Sequence, residues 1–131
     1  MDPVFRMVVP ASALDGAPAG WALELLGQGE MALTVDDGGL DGIDAVARAL
    51  DRPAVTVLRR ESTPEAAEAS VRQFADGLAL VWIGPSFSDD ARRWARDRAP
   101  MTLLVEHDGV LPEEERRRIE RFVAILGRQA E

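Results

Sequence analysis

Cysteine and lysine are both absent from this chain of 131 residues, and histidine occurs once, as His107. Without cysteine there are no disulfides, no thiolate-bound zinc and no cysteine nucleophile. A single imidazole excludes any site that needs two. All 15 basic residues are arginine, so no chemical step can use a lysine amine. No apolar run reaches the ~18 residues of a membrane-spanning helix. The opening MDPVFRMVVP lacks the charged start and long apolar stretch of a secretory signal, so the expected compartment is the cytoplasm. Internal repeats and low-complexity tracts are missing as well.

The residues that are present describe an ordinary globular chain. Apolar residues make up 47% and charged residues 29%, which excludes a disordered tail or a collagen-like fibre. The length suits one α/β domain over residues 1–131. Against the arginines stand 23 acids, for a net charge of −8. A protein that binds nucleic acid by neutralising phosphates is usually basic, whereas the pI here is near 4.7. Nucleic acid and anionic lipid are therefore not expected partners of the free domain, and a protein partner is.

Short apolar runs punctuate the chain: Val4 to Val9, Met31 to Val35, Ala54 to Leu58, Leu78 to Ile83 and Met101 to Val105. Their lack of polar alternation is the pattern of strands covered on both faces. Between them lies helical spacing. Leu40, Ile43, Ala47 and Leu50 make one apolar stripe, and Ala67, Val71 and Phe74 another behind a Ser62 or Thr63 cap with Pro64 in the first turn. Ser88 caps a helix that packs Ala91, Trp94 and Ala95. The last helix starts at Pro112 and buries Ile119, Phe122, Val123 and Leu126, with Glu113–Arg117 and Glu114–Arg118 as i,i+4 pairs. Pro18 to Gln28 reads as a weaker helix. Alternating strands and helices imply a three-layer α/β/α sandwich around a central, mostly parallel sheet of about five strands.

Sites in such sheets gather at the carboxyl ends of strands, and three of these ends carry chemistry. After the second run come Asp36, Asp37, Asp41 and Asp44, spaced by glycines. Asp36, Asp37 and Asp44 could hold Mg²⁺, a hard ion that takes oxygen ligands; the plainer alternative is a solvated turn and a helix start, where acids suit the dipole. The turn Gly84-Pro85-Ser86-Phe87-Ser88 offers backbone N–H groups and two hydroxyls, so that Gly84, Ser86 and Ser88 could hold a small anion or nucleotide; the alternative is a serine cap. Glu106-His107-Asp108 suggests an acid–base histidine or simply a turn. Arginines group at 92, 93, 96 and 98 and at 116, 117, 118 and 121, where acids beside them favour a solvated, ion-paired face. Trp21, Trp82 and Trp94 read as core residues.

Part of the chain resembles the Mrr-type restriction endonuclease domain, a branch of the PD-(D/E)XK nucleases. Gly38-Gly39 lead into Gly42-Ile43-Asp44 and Ala47-Arg48, Val55 to Arg60 lie where the catalytic strand belongs, and Phe87 to Ala95 resemble the late helix. The resemblance puts Asp44 at the metal-binding aspartate, Val57 at the second ligand and Arg59 at the lysine. Valine cannot ligate a metal, and a guanidinium does not readily accept a proton. The likeness thus implies a non-cleaving member, a regulatory or adaptor module with no resident cofactor. Its rivals are an active Mg²⁺-dependent nuclease that recruits Asp36, Asp37 or Glu61 beside Asp44, and a small-anion-binding domain. The order strand, Asp36-Asp37, helix, strand is also similar to a response-regulator receiver, in which case the phosphoacceptor aspartate is lacking near Leu80 to Gly84. A mixed sheet would favour the nuclease kinship and an all-parallel sheet the receiver-like one.

Overall fold

Five strands form one sheet: β1 (Phe5–Pro10), β2 (Gly29–Thr34), β3 (Thr56–Leu58), β4 (Ala79–Gly84) and β5 (Thr102–Glu106). A computed structural model describes residues 4–14, 21–25, 29–34, 56–58 and 61–130. The strand order is β3-β2-β1-β4-β5, and all four pairings are parallel. The fold is therefore α/β, as the alternating pattern predicts. This is the order of the first five strands in the doubly-wound 3-2-1-4-5-6 sheet, whereas flavodoxin- and receiver-type sheets run 2-1-3-4-5.

Among the described residues the helices are α1 (Trp21–Leu25), α2 (Pro64–Ala75), α3 (Asp89–Asp97) and α4 (Glu113–Ala130), with a 3-10 turn at Ala11–Leu14. The connection from β1 to β2 and the connection from β3 to β4 step across the sheet in opposite directions. Right-handed crossovers then put their helices on opposite faces. Burial agrees with this. Phe5, Met7 and Val9 of β1 pack with Trp21 of α1 and with Ile119 and Leu126 of α4. Val8, pointing the other way, packs with Leu80 and Trp82 of β4, Val71 and Ala75 of α2 and Ala91 of α3. Among the described residues no helix is long and apolar enough to cross a membrane.

The central strands are buried on both faces, as their unbroken apolarity predicts; Val8, Leu80 and Val81 are each 0% exposed. The strands at the two edges depart from that expectation. Val57 of β3 is 39% exposed, and Leu103 and Leu104 of β5 are half-buried, because an edge strand has a neighbour on one side only. The run at Leu78 begins pairing at Ala79, and β2 starts two residues before Met31. That early start depends on Gly29. It is the register partner of Phe5, and a Cβ there would collide with the Phe5 ring.

Helix ends follow local chemistry. The Thr63 hydroxyl accepts the Ala66 N–H at 3.1 Å, with Pro64 opening α2. The Ser88 hydroxyl accepts the Ala91 N–H at 3.0 Å to start α3. At the other end of α2, Asp76 takes the left-handed conformation (φ 44°) and Gly77 continues it (φ 77°). In α4 the Glu113–Arg117 pair forms at 2.7 Å, but Arg118 turns to Glu115 at 3.5 Å instead of Glu114. Both spacings lie on one face of a helix, so the alternative partner is equally reachable.

Candidate crevice at the carboxyl ends of the strands

The carboxyl ends of β1 to β4 surround a crevice of about 480 Å³, within the usual range for small-molecule sites. It sits where strand order reverses between β1 and β4, the place where open α/β sheets hold their ligands. Pro10, Thr34 and Leu58 supply the last residues of three strands. Trp82 and Phe87 line the side covered by α2 and α3, and α2 forms a wall with Pro64, Ala67, Glu68 and Val71. The rim is the turn Gly84-Pro85-Ser86-Phe87-Ser88. The sequence-predicted residues Gly84, Ser86 and Ser88 are thus all at the crevice.

The donors of that turn are partly engaged within the chain. Glu68, reaching across from α2, accepts the Ser88 backbone N–H on Oε2 at 3.0 Å and the Ser88 hydroxyl on Oε1 at 2.5 Å. A side-chain carboxylate therefore lies at the start of α3, where the exposed amides and helix dipole favour negative charge. Glu61 also lines the crevice and accepts the Ser70 hydroxyl at 3.1 Å. Two carboxylates thus share the crevice, and no cationic side chain stands among its described lining residues. Trp82 meets Phe87 edge-on at 5.0 Å and Trp94 at 6.3 Å, which fixes the indole in the floor.

The other predicted sites fall elsewhere. Asp36, Asp37, Asp41, Asp44 and Arg59 lie outside the described residues, as does the stripe from Leu40 to Leu50. Among the described residues no three His, Asp or Glu side chains are grouped to hold a metal. His107 follows β5, where its backbone N–H donates to the Gly84 carbonyl at 2.9 Å. Its neighbour Glu106 is drawn away to an ion pair with Arg92. The two arginine-rich helices, α3 and α4, are on opposite faces of the sheet and so form no single basic surface.

Trp94 packs against the core, as expected, but at its edge. It is half-buried, with the Arg98 guanidinium 4.6 Å and the Arg72 guanidinium 5.5 Å from its ring centre. Sequence reasoning overlooked Glu68. No local signal marks it, since its partner is twenty residues away on another helix.

Comparison with protein-family models, with curated proteins and with solved structures gave no match for this chain.

Proposed function

We propose that the chain is a non-catalytic regulatory module that binds a small ligand in the crevice at the carboxyl ends of β1 to β4 and acts through a protein partner. The observation that carries this is the crevice itself, at the switch point of a parallel sheet and floored by apolar side chains. Two residues speak against nuclease chemistry. Val57 stands where the resembled site needs a metal ligand, and Arg59 where it needs a lysine. Charge speaks against nucleic acid as the partner. The net charge is −8, and the arginines of α3 and α4 are divided between two faces.

The test is a thermal-shift screen of small molecules on the full chain and on an Ala67→Trp variant, whose indole fills the crevice from an exposed helical position. A ligand at about a hundred times its Kd adds about 2.7 kcal/mol of stability. Molecules that stabilise the parent chain should lose that effect in Ala67→Trp. Equal stabilisation of both chains would move the site away from the crevice. In parallel, incubation with DNA or RNA and Mg²⁺ or Mn²⁺ should leave both nucleic acids intact. Metal-dependent cutting abolished by Asp44→Ala would make the protein a nuclease. Titrations with duplex DNA should show negligible affinity at physiological salt.

A further inference from the structure

We infer that the outer edge of β5 pairs antiparallel with the same edge of a second copy, joining two sheets across a two-fold axis at Leu104; the crevice plays no part in this. The Leu80 N–H donates to the Met101 carbonyl at 3.0 Å, and the His107 N–H to the Gly84 carbonyl at 2.9 Å. Residues 101, 103, 105 and 107 thus turn their backbone groups toward β4. The alternation of a strand turns those of Thr102, Leu104 and Glu106 outward, where β5 is the last strand among the described residues. Natural edges are blunted by charge, proline or a bulge. Here the register with β4 runs unbroken from Thr102 to Glu106, Leu103, Leu104 and Val105 fill the middle, and only Glu106 brings charge.

The side chains along this edge complement a second copy. Pairing about Leu104 sets Leu104 against itself and Thr102 against Glu106 of the other chain, each such pair exchanging both of its backbone hydrogen bonds. The Arg98 guanidinium rests on the Thr102 hydroxyl at 3.0 Å, so the incoming Glu106 carboxylate arrives beside a cation at both ends of the pairing. Apolar exposure gathers here as well. Met101, 38% exposed, precedes β5, and Val110, 49% exposed, follows it. Antiparallel pairing brings the Met101 end of each copy to the Val110 end of the other, as an isologous two-fold contact requires. On α4, Glu120, Val123 and Ala124 turn toward Trp21 of α1. Helical spacing then puts Ile125, 42% exposed, on the opposite flank, the one nearest β5. Three of the four large apolar side chains exposed among the described residues therefore border this edge.

Sedimentation equilibrium of the full chain at about 0.1 mM should give twice the 14.2 kDa of one chain. Glu106→Arg, a change at an exposed position, sets two guanidiniums together at each end of the pairing and should weaken the dimer at least about tenfold. Cross-linking reads the register, because the chain has no cysteine of its own. Opposed residues in such a pair lie about 5.5 Å apart between Cα atoms, within disulfide reach. Leu104→Cys should therefore link to itself under mild oxidation. Thr102→Cys alone should not, but mixed with Glu106→Cys it should give a linked pair. A chain that is monomeric at that concentration, a dimer indifferent to Glu106→Arg, the absence of either expected link, or self-linking of Thr102→Cys would overturn the inference.

Discussion

The two ends of one sheet face differ in the side chains that line them and do different work. At the amino end of the face covered by α2 and α3, arginines tie the helices to the sheet. Arg98 donates to the Leu78 carbonyl at 2.7 Å and to the Thr102 hydroxyl at 3.0 Å, and its guanidinium stacks on Trp94. Burial pushes its pKa below the ordinary value. Arg6 donates to the Phe74 carbonyl and lies 5.0 Å over the Phe74 ring. Arg72 adds a second guanidinium to Trp94, with its Nε buried and without a hydrogen-bond partner, so its contribution is stacking. At the carboxyl end Glu61 and Glu68 are among the described residues that line a crevice. Long cationic side chains lay their stems on apolar surface and fill space, whereas a short carboxylate tied to a serine does not. Arg72, Trp94 and Arg98 border a depression of about 380 Å³ at one end, and the crevice of about 480 Å³ opens at the other.

The largest expected effect removes the strand that both ends share. Val81 is wholly buried in the middle of β4. An unpaired carboxylate there costs several kcal/mol or more, against a total stability of roughly 5–15 kcal/mol. Val81→Asp should therefore lack a cooperative unfolding transition by circular dichroism. A soluble Val81→Asp protein with a normal melt would show that β4 is not central.

A smaller change separates the two ends. Trp94→Ala removes the ring on which Arg72 and Arg98 stack and should cost about 2–4 kcal/mol, read as a lower urea midpoint. Because Trp94 does not line the crevice, the affinity of any crevice ligand found by the thermal-shift screen should stay within about twofold of the parent. A large loss of affinity would mean that the indole contact from Trp94 to Trp82, 6.3 Å between ring centres, couples the ends. The two ends would then not be independent.

The smallest effect concerns the amino end alone. Asp76 caps α2 in the left-handed region at φ 44°, and its negative charge sits where the helix dipole is also negative. Asp76→Gly removes both penalties and should raise stability by about 0.5–1 kcal/mol, seen as a higher Tm with no change in ligand affinity.

Much of this architecture was legible because its causes are local. The apolar runs around Val8, Leu80 and Val105 identify strands, and Thr63 and Ser88 mark helix starts within three residues of the amides they cap. The rim of the crevice was legible as well, since Gly84 to Ser88 follow a strand and precede a helix. Side-chain choices within reach of several partners were not. Arg118 selects Glu115 over Glu114, and nothing in their spacing decides between them. The apolar stripe predicts that Trp94 packs against the core, but not that arginines from α2 and the end of α3 share its ring.

By itself, the sequence determined the α/β class, the absence of cysteine and lysine chemistry, the acidic surface and the helix caps. Each of these depends on composition or on residues a few positions apart. Only the tertiary structure decided that β1 lies between β2 and β4, that the arginines of α3 and α4 part to opposite faces, and that Glu68 meets Ser88 beside Trp82. Those outcomes depend on how right-handed crossovers stack distant segments, and no local pattern encodes which strand will be the neighbour.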